Sequence, residues 1–179
     1  MGANQCCSSN LKLRPEELRK LVPLLQYQLT IFGCNRRSSM QGEQSGGCLC
    51  GSFRYTFNAI AEPGFSFSCH CRDCQQATGS VCATAFAVPK DSLQMSGEYK
   101  FYTKYGDNGG EVNRGFCPSC GSRAVSTLGA IPDLYLVYAS SLDDPSWFKP
   151  AMNIYTASAL PWDCMDPNVP NFEQSPPAG

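Results

Sequence analysis

The sequence predicts a mainly β protein of small antiparallel sheets, preceded by an N-terminal helical extension. Three observations point there. Short runs of period-two alternation begin at Gly46, turn-forming clusters separate them, and seven of the twelve cysteines fall in closely spaced groups within that region. A chain of 179 residues suits one domain with its own core, because a protein of this size buries roughly 70% of its unfolded surface. Disulfides are then not needed for stability, so the cysteines require a chemical reason.

Residues 1 to 40 hold six basic and two acidic side chains, whereas residues 41 to 179 hold eight and thirteen. The sign of the charge changes at that boundary. This leader, residues 1–40, is expected to be partly helical from Pro15 to Phe32, with Pro15 near the first helical position, Gly33 as the stop and Pro23 as an internal weakness. It reads as an appendage. Its Arg and Ser content resembles a transit peptide, but Glu16 and Glu17 count against one, and Cys6 stands where an acylation signal needs Ser or Thr. Met40 could serve as an alternative start.

The body, residues 41–165, contains the strands. Phe53, Tyr55 and Phe57 alternate with Arg54, Thr56 and Asn58, and comparable runs cover Ser66 to Cys71, Val81 to Val88, Tyr99 to Tyr105, Arg123 to Thr127, Leu134 to Ala139 and Met152 to Thr156. Clusters at Glu62 to Gly64, Ser96-Gly97, Gly106 to Gly110 and Asp143 to Pro145 supply the turns. Residues 166–179, with Pro167, Pro170, Pro176 and Pro177, read as an extended, partly disordered tail.

Composition narrows the function. The longest apolar stretch, Leu18 to Phe32, is broken by Pro23, Gln26, Tyr27 and Gln28, so no membrane partner is expected. A net charge of −1 gives no basic field for nucleic acid. The polar, Cys-rich start is not a secretory signal, and no Asn-x-Ser/Thr sequon is present. A cytoplasmic, reducing location follows, in which clustered thiols read as metal ligands or redox groups.

The cysteine spacing carries the chemistry. Cys48 and Cys50 form one short pair and Cys117 and Cys120 another; two distant pairs bending the backbone around one ion is how a structural zinc acquires four tetrahedral ligands. Gly47, Gly51 and Gly121 flank the pairs, where the backbone must pass close to the thiolates. A cystine, buried unpaired thiols or a redox Cys-Pro-Ser-Cys dithiol are the competing readings. Cys69, Cys71 and Cys74 form a second group, and three protein ligands with an open fourth position is the arrangement of catalytic zinc. The fourth corner could instead be closed by Cys82. In an extended Cys-His-Cys stretch His70 points away from its neighbours, which makes it a supporting or strand-face residue rather than a ligand. Arg72 is either a counter-charge to the thiolates or an ordinary solvated arginine, and Asp73 reads as a turn residue. Cys6, Cys7, Cys34 and Cys164 receive no role.

These residues, taken in order, resemble the glutathione-dependent formaldehyde-activating family, whose domain is shared with centromere protein V. The resemblance covers about residues 46 to 162. It rests on Gly-Gly-Cys-Leu-Cys-Gly at Gly46 to Gly51, on Cys69 to Cys74 with Gly79 following, on Phe116 to Gly121, on Ser141 to Pro145 and on Trp162. It implies a β-rich fold around two zinc ions, a structural one on Cys48, Cys50, Cys117 and Cys120 and a catalytic one on Cys69, Cys71 and Cys74. The implied activity is that of a carbon-sulfur lyase joining the thiol of glutathione to formaldehyde, or cleaving that adduct. Asn153, where many relatives carry His, and the added leader are the departures. A non-catalytic zinc-binding interaction module of the same fold is the competing class, disfavoured as a chromatin binder by the acidic body.

Because residues 1 to 40 carry no clustered cysteine and differ in charge sign from the body, truncation to Met40 is expected to leave metal content and thermal midpoint nearly unchanged. A large fall in the midpoint on differential scanning calorimetry would make the leader part of the core.

Overall fold

Period-two alternation sorts the strand side chains onto two faces, and two sheets share the more apolar ones. The structure, a computed structural model, describes residues 42–58, 65–107 and 109–176; the expected helix from Pro15 to Phe32 and the Glu62 to Gly64 turn lie outside them. The strands are β1 (Glu43–Gly47), β2 (Arg54–Asn58), β3 (Ser66–Cys69), β4 (Ala83–Pro89), β5 (Leu93–Ser96), β6 (Lys100–Tyr105), β7 (Glu111–Phe116), β8 (Val125–Leu128), β9 (Leu134–Tyr138) and β10 (Met152–Ile154), with one helix, α1 (Arg72–Thr78). A three-stranded sheet has the order β1-β2-β5, and a seven-stranded sheet the order β10-β3-β4-β9-β8-β7-β6. The protein is mainly β with little helix, as the alternation predicts.

Register places the core. Phe86 pairs with Val137 and Val137 with Val125 across β4, β9 and β8, so these side chains share one face of the large sheet. That face packs on Phe53, Tyr55, Phe57 and Leu93 of the small sheet, all buried. Each such apolar side chain contributes about 1.5 to 3 kcal/mol on burial. Rings continue across the interface, with Phe53 and Tyr99 stacked at 4.0 Å between centroids and Phe57 5.8 Å from Phe86. The opposite face of the large sheet carries a second cluster of Phe67, Cys69, Ala85, Ala87, Leu136 and Ile154. The small sheet does not cover it, and it is here that Cys69 projects.

Three features differ from the sequence reading. The run from Ser66 to Cys71 leaves the sheet after Cys69, and the chain turns into α1 with Cys71 as its N-cap and Gly79, at φ +65°, closing its C-terminus. Only seven residues long, this helix gives no amphipathic period to read, and Asp73 lies in its first turn rather than in a loop. Strand β10 runs parallel to β3, the one parallel pair among otherwise antiparallel neighbours. In the tail, contacts reach as far as Gln174: Asn153 N–H donates to Pro170 O at 2.8 Å, Phe172 N–H returns to Asn153 O at 2.9 Å, Tyr155 N–H donates to Gln174 O at 3.2 Å, and the Phe172 ring joins the second cluster.

One turn is fixed by lack of space. Gly97 has φ +88°, and a Cβ there would lie 1.9 Å from the Ser52 carbonyl oxygen. At Gly109, φ +74°, a Cβ would meet nothing within 4 Å. Gly109→Ala is therefore expected to cost only the left-handed backbone term, about 1 to 2 kcal/mol. Gly97→Ala adds a backbone collision worth roughly 1 to 3 kcal/mol more. Urea unfolding of the two variants checks the difference; equal losses would remove the close approach as a constraint.

Candidate metal centres

Two turns bring four thiols together where the sheets end. After β1 the chain makes a tight loop in which Cys48 N–H donates to Phe53 O at 3.0 Å and Gly51 N–H to Cys48 O at 3.1 Å; after β7 the same pattern recurs, with Cys117 N–H to Ser122 O at 2.9 Å and Gly121 N–H to Cys117 O at 2.9 Å. Gly51 and Gly121 have φ +77° and +75°, which a glycine takes at no steric cost. The two loops, one from each sheet, aim the sulfurs of Cys48, Cys50, Cys117 and Cys120 to within 4.8 Å of one another. Cys48 and Cys50 sulfurs are 3.5 Å apart, and Cys50 and Cys117 sulfurs 3.8 Å. Tetrahedral zinc with bonds of 2.3 Å sets its sulfurs about 3.8 Å apart, so the set fits that ion. Thiolates also suit soft metals by donor type.

Hydrogen bonding favours ionised sulfur at Cys48 and Cys120, whereas Cys50 is raised, the lowering by Ser52 being outweighed by its hydrogen bonds to Cys48 and Cys120. Burial opposes ionisation at Cys48, but the Phe53 N–H and the Ser52 hydroxyl outweigh burial and bring this thiol down to about 7. The Ser122 hydroxyl brings Cys120 down to about 5. Ser52 itself contacts three sulfurs, at 3.0 Å from Cys50, 3.3 Å from Cys117 and 3.7 Å from Cys48.

The second group forms where β3 becomes α1. Cys69 ends the strand, Cys71 caps the helix by accepting the Cys74 N–H at 3.4 Å, and Cys74 occupies the first turn. Their sulfurs also lie within 4.8 Å of one another. Among the described residues no fourth Cys, His, Asp or Glu joins them. Cys82 turns to the Thr84 hydroxyl instead, at 3.6 Å, so the closed alternative is not formed by that thiol. Hydrogen bonds, chiefly from Cys69, hold Cys71 down to about 2, while its two neighbours push Cys69 up.

The surroundings are polar and were not legible as a set. Arg114 of β7 is 7% exposed and acts electrostatically on Cys71 and Cys74. Asp73 lies 3.4 Å from Arg114 and 2.6 Å from Lys104 of β6, so the counter-charge beside the thiols is Arg114, whereas Arg72 bonds to Gln75. Tyr155 follows β10 and is raised in pKa by burial and then by Cys69, Asp107, Cys71 and Cys74. His70 is buried outside the thiol group, with Nδ1 2.7 Å from Asp163 Oδ2 but not aligned for a hydrogen bond, and Nε2 3.5 Å from Asn153 Oδ1. That is the supporting place expected of it. A cleft of about 430 Å³ runs from Arg72 past Gln76 to Trp162, on the side of α1 that carries Gln75 and Gly79 rather than Cys74, so it does not enclose the sulfurs. No helix among the described residues is long and apolar enough to cross a membrane.

The family model described as glutathione-dependent formaldehyde-activating enzyme matches residues 43–158, a span that holds all seven clustered cysteines. The chain belongs to this family. The chain is also similar to a crystal structure of a Rhodobacter sphaeroides protein, at 22% identity over 55% of this chain and 87% of that one, with a TM-score of 0.45. No curated protein matches it.

With one four-thiol and one three-thiol group able to hold a metal, protein purified without chelator is expected to carry two zinc ions per chain by elemental analysis. Cys71→Ser is expected to carry one. A single ion in the unmodified chain would mean that the three-thiol group does not bind.

Proposed function

We propose that this protein is a zinc-dependent carbon-sulfur lyase-type enzyme that forms or cleaves the adduct of a small-molecule thiol, glutathione, with a small aldehyde, formaldehyde. The observation that carries this reading is the inequality of the two groups: one gathers four sulfurs, the other three with no fourth ligand among the described residues. Family membership supports the thiol and aldehyde classes. In this reading Cys48, Cys50, Cys117 and Cys120 hold a structural zinc, and Cys69, Cys71 and Cys74 a catalytic one, in a reducing, cytoplasmic setting.

A zinc held by Cys69, Cys71 and Cys74 would favour the thiolate form of an incoming thiol and polarise a carbonyl. The chain does the rest. Arg114 offsets the negative charge of Cys71 and Cys74, so that a further thiolate meets less repulsion, and the Asp73 carboxylate, itself paired with Lys104, holds that guanidinium in place. His70 stays out of the group, keeping its ring for Asn153 and Asp163. In the forward direction the glutathione thiol releases its proton to water, the sulfur lone pair forms the carbon-sulfur bond, the carbonyl π pair moves onto oxygen, and that oxygen takes a proton back from water. In reverse the bond breaks with its pair returning to sulfur. Holding the two reactants together contributes through effective concentration.

The test is NMR exchange with ¹³C-formaldehyde and glutathione on the zinc-loaded full chain, with and without chelator. Exchange should be accelerated by the protein and fall to the protein-free rate on chelation. Cys71→Ser should fold and lose the acceleration, because its group spans only six residues and its loss is local. Cys117→Ser should unfold or aggregate, since a structural zinc contributes roughly 10 to 16 kcal/mol against a typical total stability of about 5 to 15. A two-zinc protein with no acceleration would be a non-catalytic zinc-binding module. Full activity in Cys71→Ser would move the reaction elsewhere.

A further inference from the structure

Tyr155 is the one residue other than glycine with a positive φ among the described residues, at φ +57° and ψ +37°. For a bulky side chain this backbone is strained, and such strain gathers at functional sites. Its effect can be read from the register. Ile154 is the partner of Cys69 and packs with it, while Asn153 faces the other way toward His70. Had β10 continued as a strand, Tyr155 would alternate onto the His70 side. The left-handed residue breaks that alternation, and the ring instead packs against the buried cluster of Cys69 and Ile154, against which Cys71 and Cys74 also pack. It is only partly buried there, among the described residues its hydroxyl has no hydrogen-bond partner, and the charged groups that act on it are Cys69 first, then Asp107, Cys71 and Cys74. The backbone is held in this state from outside: Tyr155 N–H donates to Gln174 O at 3.2 Å, and Thr156 N–H to Phe172 O at 3.0 Å.

We infer that the Tyr155 hydroxyl is a catalytic hydrogen-bond donor to the substrate oxygen at the three-thiol group, an inference that rests on the carbon-sulfur reaction proposed above. As the bond to sulfur forms, negative charge grows on the former carbonyl oxygen; the phenol donates a hydrogen bond to it and keeps its own proton, and water supplies the proton that completes the hydroxymethyl group. In the reverse direction the same contact is in place as the oxygen loses that proton. A donor fixed before the reaction begins lowers the barrier because nothing reorganises when the charge appears.

The experiment uses the full-length, zinc-loaded protein labelled with 3-fluorotyrosine, in which the ¹⁹F resonance missing from Tyr155→Phe identifies residue 155. The resonance should move with the glutathione-formaldehyde adduct and not with S-methylglutathione, which lacks the oxygen. Tyr155→Phe should keep two zinc ions and its thermal midpoint, lower kcat for exchange about 10²- to 10³-fold, and leave KM for glutathione unchanged. An exchange rate in Tyr155→Phe equal to that of the unmodified protein overturns the inference and leaves the lyase reading intact; loss of zinc or of midpoint assigns the residue to structure and overturns it too. If the unmodified protein exchanges nothing while the resonance moves, the contact to oxygen stands and the lyase reading falls. No movement and no exchange reject both.

Discussion

The three-stranded and seven-stranded sheets are separate hydrogen-bonded units, and the place where their ends are pinned to each other is the meeting of Cys48 and Cys50 with Cys117 and Cys120. Hydrogen bonds from Phe53, Ser52 and Ser122 draw two of these sulfurs toward ionisation. Like charges so close repel unless a cation neutralises them, and the repulsion would act directly across the two sheets. A cation at that point would turn the same charges into a link between the layers, and would couple metal binding to folding. The aromatic layer of Phe53, Tyr55, Phe57 and Phe86 fills the space behind this link, and its packing presupposes that both loops are in place.

The two faces of the large sheet are put to different uses. The one against the small sheet is dry and close-packed. The other mixes Ala85, Ala87 and Leu136 with buried Arg114 and Ser126, and Tyr138 hydrogen-bonds Ser126 at 3.1 Å. Buried polar groups cost stability unless paired, and here they pair with one another and with the first turn of α1. Cys69, Cys71 and Cys74 therefore sit beside packed apolar side chains on one side and paired polar ones on the other.

Much of this was legible in the cysteines and the alternation. The spacing separated the seven thiols into the two groups that the fold assembles, and the pleat kept His70 away from them. Strand β2 follows clean alternation and β4 and β9 are near-continuous apolar runs, whereas β1 carries Gly46 and Gly47, β5 is four residues long, and β7 puts Asn113, Arg114 and Gly115 at its centre, so none of these three announces itself as a strand. Helix α1 was hidden by its length and by a cysteine cap, although Asp73 in a first turn and Gly79 as a stop were signals that could have found it. Arg114 and Tyr155 were out of reach for a different reason. A buried arginine looks like a solvated one until its neighbours are known, and a left-handed tyrosine follows from tertiary contacts, not from its own preference.

The docked tail gives the far end of the chain a place in the chemistry. Pro170, Phe172 and Gln174 supply the carbonyls that fix Asn153, Tyr155 and Thr156, so a segment some hundred residues away in sequence from Cys69 acts as a latch on the same spot. If Tyr155 has the role inferred for it, losing the Phe172 and Gln174 carbonyls would release the backbone at Tyr155 and Thr156 and act on the reaction while leaving the seven clustered thiols in place.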